Sequence, residues 1–316
     1  MNKMRLLPMT ALLSASLMTG CASKVANWEH INIEATKDAA MADESAAKTI
    51  QRAQIRIAFG KTEELAYFAP RHLQLAEEQL LKARDMHTSG DPDGEVKPVA
   101  MTAQKTLEAG INTKKIVIRT LRKSLKHKEK LEEIKADKYF PEQYAANSAR
   151  IIELIDLIED GKIGEAEVGQ KELLPLMHKN EVDTIEFIQL QPIKDKLAAI
   201  DADGGSSVAP ASWATAQKAL KKAIIFISRT PRDKAKIRQL THDASRAADH
   251  ARVITDFSNE ILDASSDDVE NIALRVERWL YRVNVALKQE DIRHRPFSEQ
   301  AAQLATEVES LMRKTR

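Results

Sequence analysis

The histidines and carboxylates are the side chains that could hold a metal ion or transfer a proton. Two of the 8 histidines, His242 and His250, lie about two turns apart on a predicted helix that also carries Asp249. Metal sites need ligands that converge more closely. Di-iron sites in helical bundles use Glu-x-x-His on two helices, and that spacing does not occur in the sequence. We therefore predict no metal and no cofactor, and assign these three residues to a polar surface.

Other catalytic patterns are also missing from the sequence. There is no Gly-x-Ser-x-Gly elbow that would present a nucleophilic serine. Residues 90–94, GDPDG, resemble the start of a calcium loop but lack the later ligands and the terminal Glu. We interpret this segment as a turn and predict that the protein is not an enzyme.

The single cysteine, Cys21, lies close to the start of the chain. Before it come the positive charges of Lys3 and Arg5 and then an uncharged run over residues 6–20. A basic start followed by a short apolar run and small residues is typical of a secretory signal, and the run is short for a membrane span. One cysteine also excludes an intrachain disulfide, so the fold in an oxidising compartment depends on packing.

Residues 17–21, LMTGC, resemble the lipobox of bacterial lipoproteins, with Met18 where Leu is more usual. The resemblance implies cleavage before Cys21, diacylglycerol on its sulfur and acylation of the new N-terminus, with palmitate as the expected chain. Two or more acyl chains give stable anchoring. No Asp follows at residues 22–23, which by the same resemblance favours the periplasmic face of the outer membrane. The alternative is a free thiol beside an ordinary cleavage site.

Composition narrows the class of protein further. The chain has 48 Lys+Arg and 47 Asp+Glu, a formal net charge of +1, whereas nucleic-acid binding needs a basic field. Only 4% of the residues are aromatic and only 10 are Gly, a composition typical of long helices. No long apolar run follows Cys21. We predict an all-α protein that binds no nucleic acid and is held to its membrane by lipid alone.

An internal repeat appears when three proline-led segments are aligned on Pro70, Pro141 and Pro210, at spacings of 71 and 69 residues. Proline is favoured at the first position of a helix. The residues before the prolines are weak caps, since none has a polar side chain: Ala69, Phe140 and Ala209. A break follows about twenty residues after each proline, and a second helix is predicted over residues 97–136, 164–189 and 232–262.

These patterns predict three antiparallel helical hairpins of about 70 residues. One hairpin cannot cover its own apolar stripe, so we expect an elongated array of stacked hairpins with coiled-coil-like packing. The predicted divisions are a signal peptide, a lipidated tether, an N-terminal helix, three hairpin repeats and C-terminal helices: residues 1–20, 21–33, 34–66, 67–138, 139–207, 208–264 and 265–316.

Over residues 67–260 the repeat resembles a family of uncharacterised periplasmic lipoproteins with Ala-Pro-led helical hairpins. Some members of that family carry a C-terminal peptidoglycan-binding domain of the outer-membrane-protein-A type. Nothing in this sequence matches that domain, so cell-wall binding is not implied.

Two surfaces are candidates for binding. Four large aromatic residues in the later half could line a ligand or partner surface, or fill the core: Trp213, Phe226, Trp279 and Tyr281. The basic residues 114–130 could bind anionic lipid, although an apolar stripe within them favours one solvated face of a long helix.

The function that these features predict is a non-catalytic scaffold or adaptor, anchored in the membrane and bound to another envelope protein through its helical surfaces. The alternative is a carrier or chaperone that holds a lipid or an unfolded chain in a groove between hairpins. The oligomeric state is left open.

Overall fold

The structure, a computed structural model, describes residues 25–314, in which fourteen helices and no strand occur. The predicted all-α class is confirmed. The chain divides into two compact units, one extending to Thr184 and the other beginning at Ile185. Within the described range, every helix is too short or too polar to cross a bilayer. The predicted signal peptide, Cys21 and most of the predicted tether lie outside the described residues.

Unit 1 contains eight helices and the first part of a ninth, which crosses the unit boundary. The bounds are α1 Trp28–Met41, α2 Ala46–Thr62, α3 Leu65–Phe68, α4 Pro70–Ser89, α5 Asp93–Thr120, α6 Arg122–Glu133, α7 Ala136–Tyr139, α8 Pro141–Glu159 and α9 Ile163–Ala202.

Two apolar clusters hold unit 1 together. The first joins α2, α4 and α5, with Ile57, Leu80 and Leu107 among its buried residues. The second joins the end of α5 and α6 to α8 and α9, and it includes Leu154 and Met177. The apolar residues of α8 recur at helical spacing, which places one stripe of that helix in the core.

Unit 2 contains the rest of α9 and five further helices: α10 Gly205–Val208, α11 Pro210–Arg229, α12 Lys234–Asp263, α13 Ser266–Ala286 and α14 Phe297–Lys314. α11 packs against α12. Leu220 and Ile227 of α11 are buried, as are Ala244, Ala248 and Ala251 of α12. Small side chains on one helix let its neighbour approach closely, so the alanine stripe suits this pairing.

One backbone unit recurs three times. Glu64, Lys135 and Gly204 each have positive φ, at 58°, 58° and 81°, and each precedes a four-residue helix, α3, α7 or α10. A cap with extended φ follows, and a proline then occupies the first turn of the next helix. The positive-φ residues have the same spacings of 71 and 69 as the prolines.

Two sequence-based boundaries were wrong. The predicted single helix over residues 34–66 is two helices, because Ser45 starts a new one and its side chain accepts a hydrogen bond from the Lys48 N–H. The predicted tether over residues 21–33 includes the start of α1. Ile31, in α1, is buried against Leu75 of α4, so the described end of the predicted tether packs into the core.

Two of the predicted second helices also differ in length. The helix expected over residues 97–136 is interrupted at Leu121, between α5 and α6. The helix expected over residues 164–189 continues as α9 to Ala202.

Candidate functional site

The four aromatic residues singled out in the sequence do not form one groove. Trp213 and Phe226 are both half-buried on α11. They are thirteen positions apart, which is about 20 Å along a helix. That separation is too large for the two rings to enclose one ligand together.

Trp279 and Tyr281 lie on α13, where each is in contact with an arginine. The Arg275 guanidinium lies 5.6 Å from the Trp279 ring centroid and 5.7 Å from that of Phe257. Arg293 lies 4.4 Å from the centroid of Tyr281. Trp279 is 51% exposed and borders an open cavity of about 400 Å³, so it contributes surface rather than core.

The candidate metal ligands on α12 are exposed, and Asp249 forms an ion pair with Lys196. Across residues 25–314, His, Cys, Asp and Glu side chains nowhere form a group of three that could hold a metal ion.

Unit 1 contains an apolar groove, which we call the α3–α6 groove. Its volume is about 460 Å³, within the range of small-molecule pockets. The apolar part of its lining comes from α3, the end of α5 and α6: Tyr67, Phe68, Ile118 and Leu125. The Tyr67 and Phe68 rings meet edge to face at 5.0 Å, an arrangement that aromatic pairs favour and that fixes this part of the groove.

The rest of the groove lining is charged and carries both signs: Glu64, Arg122, Lys126, Lys128, Glu129 and Glu132. Lys128 is paired with Glu132. Arg122, Lys126, Glu64 and Glu129 form no ion pair with any residue in the described part of the chain. The groove therefore offers two cations and two carboxylates to a ligand.

The hydroxyl of Tyr67 is buried and has no hydrogen-bond partner. Burial raises the pKa of the Tyr67 phenol, and the nearby ammonium of Lys128 only partly opposes this. The hydroxyl stays protonated at neutral pH and is an unused donor. A buried polar group without a partner costs free energy, so this hydroxyl lowers the stability of unit 1.

A small polar network borders the groove. The Tyr144 hydroxyl donates to Glu132 Oε1 at 2.9 Å, and Lys128 donates to the same oxygen. The hydrogen bond from Lys128 lowers the pKa of the Glu132 carboxyl. Burial raises the pKa of Tyr144, and its bond to Glu132 adds to this. The network holds Lys128 in its ion pair with Glu132, whereas Arg122 and Lys126 remain unpaired.

A second, more polar cavity of about 540 Å³ lies between α1, α4, α5 and α8 of unit 1. Its lining includes His72 and Glu159, both buried, with Glu159 Oε1 2.7 Å from His72 Nδ1. The Glu159 carboxylate also accepts hydrogen bonds from the backbone N–H groups of Arg71 and His72.

These backbone groups belong to the first turn of α4, whose own cap Ala69 makes no side-chain hydrogen bond. An anion is stabilised at a helix N-terminus because free N–H groups point toward it. Glu159 therefore caps α4 from the end of α8. Since its oxygens are already used in this way, we interpret the pair as a structural link rather than a catalytic dyad.

A second histidine–glutamate contact joins α6 to α9, where His127 Nε2 lies 2.9 Å from Glu181 Oε2. Sequence reasoning missed both pairs and also Tyr67. The partners are far apart along the chain, and no local pattern marks them. The one available signal was the weak cap before Pro70, which implies that the first turn of α4 is satisfied from elsewhere.

Comparison of the chain with protein-family models, with curated proteins and with solved structures finds no match. On its fold and groove alone, the chain is therefore classed as an all-α protein with an apolar, charge-lined groove in its first unit.

Proposed function

We propose that the protein is a non-catalytic adaptor, anchored by lipid at Cys21 to the periplasmic face of the outer membrane, and that it binds an envelope protein through the α3–α6 groove. The anchor rests on the lipobox-like residues 17–21. The groove supports the binding role, because an apolar lining beside unpaired charges is the composition of a recognition surface.

An exposed apolar side chain within the groove, beside half-buried ones, is the observation that carries this proposal. Ile118 is 41% exposed and lies beside Arg122 and Lys126 at the groove. The cores on either side of α5 are filled by buried aliphatic residues, so the exposure of Ile118 does not reflect poor packing. Apolar surface with charged neighbours is typical of sites that another molecule covers.

The carrier alternative receives less support from the geometry. It would need a cavity formed by residues such as Trp213 and Phe226, and these lie about 20 Å apart along α11. The α3–α6 groove, at about 460 Å³, has room for a few side chains.

Fractionation of cells tests the anchor. Cys21→Ala should move the protein from the membrane pellet to the soluble periplasmic fraction and abolish labelling by palmitate. Ser23→Ala, two residues further on, is the matched control and should remain in the pellet. If Cys21→Ala still sediments with membranes, the anchor is wrong.

Crosslinking in living cells, followed by pulldown of the anchored protein, tests the adaptor role. Recovery of one stoichiometric envelope protein is expected, with its loss in Ile118→Glu. Ile152→Glu is the control, because Ile152 is similarly exposed, at 48%, but lies outside the groove on α8. Equal recovery from both variants would remove the groove from the proposal, and recovery of lipid alone would favour the carrier.

A further inference from the structure

The charges around the α3–α6 groove are arranged along one face of α5 and α6. Arg122, Leu125, Glu129 and Glu132 of α6 line the groove, and their spacings of three, four and three residues follow one helical face. Ile118 joins them from the last turn of α5. Arg122 to Glu132 spans about 15 Å at the rise of a helix, so the groove along α6 is long enough for about three turns of a second helix.

The two signs of charge are separated along this face. The unpaired cations Arg122 and Lys126 come first, and the unpaired carboxylate of Glu129 follows one turn later. A ligand that neutralises all three must carry acidic groups toward one end and basic groups toward the other. Complementary charge patterns of this kind fix the register of a partner and exclude others.

From this arrangement we infer that the α3–α6 groove binds an amphipathic helix of a partner protein, with aliphatic side chains in the groove, acidic residues opposite Arg122 and Lys126, and a basic residue opposite Glu129. The inference rests on the proposed adaptor function and specifies its partner. Amphipathic helices bind grooves in this way through residues spaced three and four apart.

A membrane surface fits the groove less well than a protein segment does. Anionic headgroups would be attracted by Arg122 and Lys126 but repelled by the carboxylates of Glu64 and Glu129, which line the same groove.

Purified protein and two designed peptides test the inference. Both peptides are amphipathic helices of about sixteen residues with the same leucine face. The acid-first peptide has Glu in its first half and Lys in its second, and the uniform peptide has Lys in both halves. Binding is measured by fluorescence anisotropy at low and high salt, with vesicles of phosphatidylglycerol as the lipid comparison.

The acid-first peptide should bind at least tenfold more tightly than the uniform peptide, and salt should weaken it because the charges are exposed. The double variant Arg122→Glu, Lys126→Glu should lose about tenfold in affinity for the acid-first peptide and gain affinity for the uniform one. Control substitutions at Lys82 and Asp85 on α4, Lys82→Glu and Asp85→Lys, should change neither.

Two results would overturn the inference: equal affinity of the double variant and the original protein for the acid-first peptide, or vesicle binding that depends on Arg122 and Lys126 in the absence of peptide binding. If no peptide binds while the pulldown in cells still depends on Ile118, the adaptor function stands and only this assignment of its partner fails.

Discussion

Glu159 and His72 are in direct contact inside unit 1 although 87 positions separate them in the chain. Glu159 Oε1 lies 2.7 Å from His72 Nδ1 and 3.0 Å from the His72 backbone nitrogen. One carboxylate thereby pairs with an imidazole and caps the start of α4. This contact joins the first turn of one proline-led helix to the last turn of another.

Removal of the Glu159 carboxylate should strongly destabilise unit 1. Deleting the carboxylate leaves its buried hydrogen-bond partners, two backbone N–H groups and the His72 ring, unsatisfied at about 1–3 kcal/mol each, so Glu159→Ala should lower the free energy of unfolding by several kcal/mol. Glu159→Gln keeps an acceptor oxygen and should cost less, about 1–3 kcal/mol. Urea unfolding measures both. Glu153→Ala, on an exposed part of α8, should change stability by less than about 0.5 kcal/mol, and a similar loss in this control would contradict the assignment.

The ion pair of Asp160 with Arg71 should make stability depend on pH. The hydrogen bond from Arg71 lowers the pKa of Asp160 from 3.8 in the folded protein. A carboxyl whose pKa is lowered by folding stabilises the folded state above its unfolded pKa, and this contribution disappears as the pH falls through the folded pKa. Asp160→Asn should therefore be less stable than the original protein at pH 7, by up to about 1 kcal/mol, and the difference should shrink below pH 3.8.

Urea midpoints at neutral and acidic pH test this prediction. Asp85→Asn, at an exposed position of α4, should show no such pH-dependent difference. A constant difference between Asp160→Asn and the original protein across the whole pH range would mean that charge is not its origin.

The recurring positive-φ turn predicts that glycine is the stabilising residue at both equivalent positions, so that gaining it stabilises and losing it destabilises. Lys135 has φ 58° where the third occurrence has Gly204. A left-handed conformation costs an L-residue about 1–2 kcal/mol, so Lys135→Gly should stabilise unit 1 by up to about 1 kcal/mol after the entropic cost of glycine. Gly204→Ala should destabilise unit 2 by about 1 kcal/mol.

Thermal unfolding of the two variants measures these changes. Lys138→Gly, inside α7, is the control for adding a glycine. It should destabilise unit 1, because the backbone at Lys138 is helical. Destabilisation by Lys135→Gly as large as that of the control would show that the turn is not strained.

Tyr67→Phe should separate stability from binding. The Tyr67 hydroxyl is buried without a partner, so its removal should stabilise the free protein by about 1 kcal/mol. The same variant should bind the acid-first peptide with unchanged affinity, because the buried hydroxyl does not reach the groove surface. Calorimetry of the free protein and anisotropy with the peptide measure the two effects. A less stable Tyr67→Phe would show that the hydroxyl is hydrogen-bonded in solution.

Local signals in the sequence predicted several helix starts well. Pro70, Pro141 and Pro210 are each the first residue of a helix, as expected from the fixed φ of proline and its missing N–H. Both α4 and α8 end at glycine-containing breaks, as predicted. These features depend on only a few neighbouring residues. The apolar stripe of α8 and the alanine stripe of α12 likewise follow from helical periodicity.

Features that depend on distant residues were not predicted. The interruption at Ser45 was hidden by apolar residues at helical spacing on both sides. Ile31 was assigned to a tether because nothing near it in sequence marks its contact with α4. The α3–α6 groove combines α3 with residues about fifty positions later, and no pattern within either segment indicates that they meet.

The sequence by itself determined the helical class and the proline-led starts, because helix propensity and capping depend on short stretches of chain. The lipobox resemblance of residues 17–21 stays a prediction. The tertiary structure decided which side chains are buried together. It placed the carboxylate of Glu159 at the start of α4, buried the Tyr67 hydroxyl without a hydrogen-bond partner, and left Arg122 and Lys126 without ion-pair partners beside an apolar surface. The physical reason is that burial and pairing depend on packing between helices, and packing is a property of the folded chain as a whole.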